Sequence, residues 1–214
     1  MIKAIIFDCW STLIKKDAPA PSSIPKKLNW EDDHEVEKKV GRILMLEPIK
    51  DLKTQVIQLL EELGIKYNEV LVADVMDILA DKYVNYNKFY DGTLEVLSKL
   101  KQNYKLGLIT NTTDIAFEPL RKKYKFDEIF DEIIASYEVG LIKPDPKIFE
   151  LALEKLAVKP REALMVGDNP VDDLGGCMRV GIRGLMLDNK NKYPDYPIRI
   201  SKITEILEWL KNNV

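Results

Sequence analysis

The sequence predicts an α/β fold: a Rossmann-like core built on a parallel β-sheet, with an α-helical cap domain inserted after the first strand. Short apolar runs alternate with helical patterns through most of the 214 residues, whereas one long segment carries helical patterns alone. The apolar runs lack the polar alternation of a sheet that has one wet face. We therefore expect a parallel sheet covered by helices on both faces.

Five apolar runs, each followed by polar or glycine-rich residues, are the predicted strands. They read IKAIIF, YKLGLIT, EIIAS, EALMV and GIRGLML. Helical spacing of apolar residues begins at Thr93, after Asp145, and again at Ile203. Asp145 is a suitable helix N-cap, since Pro146 follows it at the first helical position. This alternation of strand and helix predicts a doubly wound sheet.

Residues 15–88 are the predicted cap, because no convincing strand pattern occurs there. The segment opens with a proline-rich stretch, KKDAPAPSSIPKK, which predicts an extended linker, and three amphipathic helical patterns follow it. A helical lobe inserted here is expected to lie over the carboxyl ends of the strands, where open α/β sheets bind ligands. The core then comprises residues 1–14 and 89–214.

The composition excludes a strong electrostatic attraction to nucleic acid or to an anionic membrane, because the formal net charge is −3. Cys9 and Cys177 are the two cysteines, too few for a disulfide framework and compatible with a reducing compartment. No apolar stretch is long enough to span a bilayer, and a cleavable signal layout is lacking. We expect a cytoplasmic protein that binds neither nucleic acid nor membrane.

Four predicted strands end in residues that can carry chemistry. In chain order these are Asp8 after AIIF, Thr110 and Asn111 after LGLI, Lys143 in GLIKPDP, and Asp168 with Asp172 and Asp173 in VGDNPVDD. A lone aspartate at a strand end usually caps a helix or a turn. Because parallel strands end at one edge of a sheet, this combination of acids, a lysine and a hydroxyl instead favours an active site.

In these motifs the chain resembles the haloacid dehalogenase (HAD) superfamily of hydrolases, in the subgroup with a helical cap after the first strand. The motifs that carry the resemblance are FDCWSTL, LITNTT, GLIKPDPKIFELAL and VGDNPVDDLGGCMRVGI, in the order that the family uses. The resemblance covers essentially the whole chain. It implies a Mg²⁺-dependent phosphatase that acts on a small phosphorylated metabolite. We expect a monomer or a homodimer.

The resemblance also implies which residues bind the metal. Asp8, Asp168 and the backbone carbonyl of Trp10 would bind Mg²⁺, a cation that prefers hard oxygen ligands. Asp173 would support the site from behind, with Asp172 as the competing choice, because the family uses both spacings. Three carboxylates crowded together without a metal would be a costly arrangement of like charges.

The catalytic roles come from the same resemblance. Asp8 would attack phosphorus to form an aspartyl phosphate, and Lys143 would neutralise charge between Asp8 and the phosphoryl group. Thr110 and Asn111 would complete the catalytic set and help to stabilise the phosphoryl oxygens. The residues expected to contact the phosphoryl group or the rest of the substrate are Trp10, Ser11, Thr12, Thr110, Asn111 and Lys143.

Trp10 departs from the family pattern. Most phosphatases of the superfamily carry a second aspartate at this position, and it protonates the leaving oxygen and activates water. The dehalogenases that name the superfamily carry an aromatic residue there and use no metal, so a metal-independent 2-haloacid dehalogenase is an alternative. Those dehalogenases carry small hydroxyl residues where this chain has Gly167 and Asp168, which favours the phosphatase.

Two further alternatives remain open. Phosphonate cleavage requires a cap lysine that forms a Schiff base, and the candidates Lys27, Lys38 and Lys39 are more typical of a solvated surface. A catalytically weak binding module on the same fold is the alternative of another class. The cap could also supply the missing acid, but His34, the single histidine, lies opposite the apolar stripe of its predicted helix.

Overall fold

A six-stranded sheet forms the centre of the computed structural model, which describes residues 1–15, 34–80 and 88–213. The strands are β1 (Ala4–Phe7), β2 (Lys105–Thr110), β3 (Glu132–Ala135), β4 (Ala163–Gly167), β5 (Arg183–Leu187) and β6 (Arg199–Ile200). All neighbouring strands pair in parallel, in the order β3-β2-β1-β4-β5-β6. The predicted α/β class is therefore confirmed. The sequence pattern did not predict β6, because a two-residue strand is too short to produce a periodic signal.

Both faces of the sheet are covered, which explains why its strands read as continuous apolar runs. On β1, Ile5 and Phe7 belong to one apolar cluster, whereas Ala4 and Ile6 belong to another on the opposite face. All four side chains are fully buried. Alternating residues of one strand thus fill two cores, so no position on β1 is left for a polar side chain before Asp8.

Helices surround the sheet and form the lobe that follows β1. They are α1 (His34–Met45), α2 (Leu52–Glu62), α3 (Glu69–Ala80), α4 (Thr93–Lys101), α5 (Asp114–Tyr124), α6 (Phe126–Ile129), α7 (Ser136–Val139), α8 (Pro146–Leu156), α9 (Gly176–Arg179) and α10 (Ile206–Asn213). Asp145 caps α8 as predicted, by accepting a hydrogen bond from the Lys147 N–H. The sequence patterns did not predict α5, which contains Pro119. Within the described residues, no helix combines the length and the apolar character needed to cross a bilayer.

The helices α1, α2 and α3 have an apolar cluster of their own. Its buried members are Val40, Leu44, Val56, Leu59, Leu60, Val72, Val75 and Leu79. The predicted proline-rich linker lies outside the described residues, apart from Lys15. The division into a cap (15–88) and a core (1–14 and 89–214) stays a prediction, which this separate cluster supports.

The chain leaves the sheet region and returns to it along two adjacent segments. Ile14 forms an antiparallel bridge with Phe89, and the N–H of Lys15 donates to the carbonyl of Lys88 at 2.7 Å. The N–H of Tyr90 donates to the carbonyl of Leu13 at 2.9 Å. The loop after β1 is therefore tied to the return point of the chain.

Gly176 lets α9 pack closely against the segment that carries Lys143. A Cβ at this position would lie 2.5 Å from the ring of Phe149 and 3.2 Å from the Cα of Pro144. We expect Gly176→Ala to lower the free energy of unfolding by about 1–3 kcal/mol, the usual range for overpacking. Urea denaturation measures the loss. Met178→Ala on the same helix, at a side chain that is 55% exposed, is the control and should stay within about 0.5 kcal/mol. Equal stability of the two variants would contradict this account.

Candidate active site

Three aspartates meet at the carboxyl edge of the sheet. Asp8 follows β1 and its N–H donates to the carbonyl of Val166 on β4 at 2.9 Å, so it lies beside the end of that strand. Asp168 follows β4 directly. Asp8, Asp168 and Asp173 each offer a carboxylate oxygen, and these oxygens all lie within 4.8 Å of one another. The sequence-predicted acids thus converge on one point.

Lys143 lies between Asp8 and Asp173 and is almost completely buried. Its Nζ is 2.6 Å from Oδ1 of Asp8 and 2.6 Å from Oδ1 of Asp173. It also donates to the backbone carbonyl of Ile109 at 3.1 Å. An ammonium group has three N–H donors, so the side chain of Lys143 is fully satisfied by the protein.

The buried charges shift the pKa values of their neighbours. Burial acts to lower the pKa of Lys143, but the charges of Asp173 and Asp8 outweigh it and raise this pKa above its ordinary value. Burial raises the pKa of Asp173 to about 7; Lys143 opposes this rise, while Asp8 and Asp168 add to it. The carboxylates outnumber the ammonium, so this group of side chains keeps an excess of negative charge when it is ionised.

The donor set fits a small divalent cation. Carboxylate and carbonyl oxygens are the ligands that Mg²⁺ prefers, and Asp8 and Asp168 present them from neighbouring strands. The excess negative charge of the group would be offset by such an ion. Trp10 is half-buried, and the role of its backbone carbonyl as a ligand stays a prediction.

A π-helix after β4 decides which of the two competing aspartates faces the site. This π-helix spans Pro170–Gly175, and the Asn169 side chain caps it by accepting from the N–H groups of Val171 and Asp172. Asp173 turns inward to Lys143, and its Oδ2 accepts from the Asn169 N–H at 3.0 Å. Asp172 instead accepts from the Asn169 side chain at 3.0 Å. Asp173 therefore belongs to the carboxylate group.

Gly167 leaves the space that the Asp173 carboxylate occupies. A Cβ at position 167 would collide with the Asp173 side chain. A residue with a larger side chain at this strand end would displace Asp173 from Lys143. The glycine and the inward aspartate are thus one structural unit.

Thr110 and Asn111, at the end of β2, differ in the hydrogen bonds that their side chains form. Thr110 is fully buried, and its hydroxyl has no hydrogen-bond partner within the described part of the chain. Both ends of the Asn111 side chain bond to the backbone of Lys143, with Nδ2 donating to its carbonyl at 3.0 Å and Oδ1 accepting from its N–H at 2.8 Å. Thr110 thus offers a free hydroxyl, whereas the Asn111 side chain fixes the lysine segment.

The loop after β1 contacts Asp168, the second carboxylate predicted to bind the metal. The Thr12 hydroxyl donates to Oδ1 of Asp168 at 3.3 Å, and Thr12 is fully buried. Ser11 has a left-handed backbone, with φ of 64°.

Cys9 points into the apolar core, where burial and then the charge of Asp8 raise its pKa well above the ordinary value. Cys9 is therefore a packing residue, as its place on the strand predicts.

The helical lobe contacts the loops that carry Asn111 and Lys143. A Cβ on Gly41 of α1 would lie 3.1 Å from Cδ1 of Ile142, the residue before Lys143. The N–H of Ile49 donates to Oδ2 of Asp114 at 3.1 Å, and Ile115 packs on the apolar cluster of the lobe. These contacts place the lobe next to the candidate site.

The structure gives no support to the residues of the lobe that were considered as a Schiff-base lysine or as the missing acid. Lys39 is exposed, and Lys27 lies outside the described residues. His34 begins α1 and Lys38 lies within it, but their side chains are also outside what the structure describes.

Sequence reasoning missed Asn169 and Asn189. Asn169 orders the segment that presents Asp173, and Asn189 donates from Nδ2 to the carbonyl of Ser11 at 3.0 Å. A usable signal for Asn189 was its place just beyond β5, because every strand of a parallel sheet ends at the same edge.

Comparison with known proteins gives consistent results. A family model described as haloacid dehalogenase-like hydrolase matches residues 2–181. The glyceraldehyde 3-phosphate phosphatase of Pyrococcus furiosus is 32% identical over 161 residues, covering 70% of this chain and 67% of that protein. The pyrophosphatase PpaX of Bacillus cereus (strain AH820) is 36% identical over 109 residues, covering 50% of each chain. The chain thus spans between half and two thirds of the length of these relatives.

A solved structure extends the fold comparison to the whole chain. The 2-haloacid dehalogenase of Pseudomonas syringae pv. Tomato DC3000 superposes with a TM-score of 0.67 over 100% of both chains, at 21% identity. At that identity the likeness concerns the fold alone.

Removing the Lys143 charge should destabilise the protein, because two buried carboxylates would lose their partner. We expect Lys143→Met to lower the free energy of unfolding at neutral pH by about 3–5 kcal/mol, the usual cost of breaking a buried ion pair from one side. Urea denaturation without added metal measures this loss. Lys143→Met combined with Asp173→Asn should recover part of it, since one of the stranded charges is then gone. A Lys143→Met variant as stable as the wild type would contradict the ion-pair arrangement.

Proposed function

The chain belongs to the haloacid dehalogenase-like hydrolases, and from this premise we propose that it is a Mg²⁺-dependent phosphatase of small phosphorylated metabolites. The observation that carries the proposal is the cluster of Asp8, Asp168 and Asp173 beside the buried Lys143. A carboxylate that can act as a nucleophile, the ammonium group of Lys143 and an excess of negative charge that suits a metal ion occur together at one edge of the sheet. The names of the phosphatase and pyrophosphatase relatives support the same chemistry.

Asp8 is the proposed nucleophile. One of its carboxylate oxygens forms a bond to phosphorus, and the bond from phosphorus to the leaving oxygen breaks, so that this oxygen keeps the electron pair. Water then attacks phosphorus in the aspartyl phosphate and loses a proton to solvent, and the bond from phosphorus to the Asp8 oxygen breaks, which releases inorganic phosphate and restores the carboxylate. The hydrogen bond from Lys143 to Oδ1 of Asp8 orients the carboxylate and leaves its other oxygen for the attack.

The metal would be held by Asp8, Asp168 and the carbonyl of Trp10, with Asp173 behind them. When bound, Mg²⁺ would supply positive charge that offsets the repulsion between the Asp8 carboxylate and a phosphate dianion. Thr12 orients Asp168 through its hydroxyl, and Asn169 orients Asp173 through its N–H.

The phosphoryl group would be bound by the unpaired hydroxyl of Thr110 and by backbone N–H groups of the neighbouring loops. Lys143 acts through its charge and by orienting Asp8, because all its donors are already used by the protein. Asn111 acts indirectly, since its side chain holds the backbone of Lys143.

Trp10 determines which substrates the site can cleave. An indole N–H cannot donate a proton to a leaving oxygen at neutral pH. Substrates whose leaving group is stable as an anion, such as phosphoanhydrides or aryl phosphates, are therefore favoured over alkyl phosphates. The name of the pyrophosphatase relative fits this preference, whereas the other relative is named for glyceraldehyde 3-phosphate, an alkyl phosphate.

Metal-independent 2-haloacid dehalogenation is the second candidate, and Trp10 is the observation that favours it. In that reaction the Asp8 carboxylate attacks carbon and halide leaves without a proton. The grouping of Asp168 with Asp8 and Asp173 favours the phosphatase instead, because a halide displacement has no use for a third carboxylate at this point. A binding module without turnover would have no need of an oriented nucleophile and a buried lysine.

Hydrolysis of p-nitrophenyl phosphate tests the proposed function directly. We expect release of nitrophenol in the presence of Mg²⁺, loss of the activity in excess EDTA, and an activity at least about a thousandfold lower in Asp8→Asn, which removes the nucleophile. Absorbance of nitrophenolate measures the rate. Wild-type protein that stays folded but releases no nitrophenol with any divalent metal would overturn the phosphatase proposal.

The dehalogenase alternative is tested on the same preparation with 2-chloropropionate. Halide release in the presence of EDTA, lost in Asp8→Asn, would support that alternative. Absence of halide release combined with Mg²⁺-dependent phosphatase activity would exclude it.

Replacing Trp10 by aspartate should restore the missing acid and base. We expect Trp10→Asp to raise kcat/KM for an alkyl phosphate such as glycerol 3-phosphate by about 10²–10⁴-fold, the usual contribution of general acid–base catalysis. The gain on p-nitrophenyl phosphate should be smaller, because its leaving group needs less protonation. Trp10→Phe is the control and should show no gain. Equal gains on both substrates would mean that Trp10 does not limit leaving-group protonation.

A further inference from the structure

We propose that Asn189 is a positioning residue of the candidate metal site, which holds the backbone of Ser11 and thereby aims the carbonyl of Trp10. The inference rests on the proposed function, because it assigns the Trp10 carbonyl to the metal. It adds a residue from the fifth strand end, which neither the sequence motifs nor the carboxylate cluster includes.

Ser11 adopts a backbone conformation that residues with a Cβ disfavour. Its φ is 64°, in the left-handed region that glycine enters most easily. A non-glycine residue stays there only when its surroundings hold it in place. Its neighbours Trp10 and Thr12 carry, respectively, the predicted carbonyl ligand and the hydroxyl that bonds to Asp168.

Hydrogen bonds hold Ser11 from both sides. Its N–H donates to the carbonyl of Ile14 at 2.8 Å, and its carbonyl accepts from Nδ2 of Asn189 at 3.0 Å. Because a trans peptide is planar with its C=O and N–H pointing in opposite directions, the first bond fixes the direction of the Trp10 carbonyl. The second bond fixes the next peptide, which leads to Thr12. The φ and ψ angles of Ser11 relate these two peptides, so loss of the Asn189 bond would also loosen the restraint on the Trp10 carbonyl.

The loop that carries Asn189 is held in place by its neighbour Asp188. Its neighbour Asp188 is 5% exposed and accepts hydrogen bonds from the N–H groups of Lys192 and Tyr193, at 2.8 and 2.9 Å. Asp188 also forms an ion pair with Arg199, at 3.4 Å, and its own N–H continues the pairing with β6. The loop after β5 is therefore ordered by Asp188, which leaves the Asn189 side chain to act on Ser11.

The test measures metal binding as well as turnover. Isothermal titration of the metal-free protein with MgCl₂ gives the Kd, and p-nitrophenyl phosphate hydrolysis gives kcat and the Mg²⁺ concentration at half-saturation. We expect Asn189→Ala to raise the Kd for Mg²⁺ about 10-fold or more, in the range known for residues that orient metal ligands. Lys190→Ala, at the adjacent exposed side chain, is the matched control and should leave the Kd unchanged.

A second variant separates positioning of Ser11 from general support of the loop. Ser11→Gly removes the conformational penalty of the left-handed backbone. In that background Asn189→Ala should raise the Kd by less than about threefold, because glycine adopts the left-handed backbone without the penalty that the Asn189 bond otherwise offsets. The thermal midpoint Tm is recorded for each variant.

Each result bears on the inference. An unchanged Kd in Asn189→Ala would overturn it while leaving the phosphatase proposal intact, provided that the wild type binds Mg²⁺ and turns over. Equal losses in both backgrounds, with matching falls in Tm, would show that Asn189 only stabilises the fold, which also overturns the positioning role. A folded wild type that neither binds Mg²⁺ nor hydrolyses p-nitrophenyl phosphate would overturn the proposed function and this inference with it.

Discussion

The contact on which the site depends is the buried ammonium of Lys143 between the carboxylates of Asp8 and Asp173. Buried ion pairs seldom add net stability, since the loss of hydration roughly cancels the attraction. Their value here is geometric, because one group fixes the directions of two carboxylates that come from opposite ends of the sequence. The close packing of Gly176 on Pro144 and the clamp from Asn111 both serve to hold the lysine in that position.

The parallel sheet makes this convergence possible. Strands that run in one direction deliver their last residues to one edge, and helices that cover both faces keep polar side chains away from the rest of the sheet. On β1 the apolar residues end at Phe7, so Asp8 is the first position at which a charge can be accommodated. The same rule places Asn189, beyond β5, within reach of the loop that follows β1.

The elements that repeat apolar residues at a regular spacing could be predicted from the sequence. Contacts that depend on local turns could not. Apolar runs and helical spacing are repetitive signals, which is why the sheet and α8 could be predicted. The choice between Asp172 and Asp173 depended on a π-helix, and the bonding of Asn111 depended on how two distant loops meet. Neither leaves a periodic trace in the sequence, so spacing alone could name these residues but not their partners.

Trp10 favours dehalogenation, whereas Asp168 favours phosphoryl transfer. Their roles in the proposed site explain how both residues can occur together. The predicted metal ligand at position 10 is the backbone carbonyl, so a change of side chain removes the proton donor and leaves the ligand in place. Asp168 has no such substitute, because its contribution is the carboxylate itself, held by Thr12. In the proposed phosphatase, Asp168 together with Asp8 would provide the means to bind the metal and to attack a phosphoryl group. No side chain at position 10 would protonate the leaving group, and this would limit the proposed substrates to those with good leaving groups.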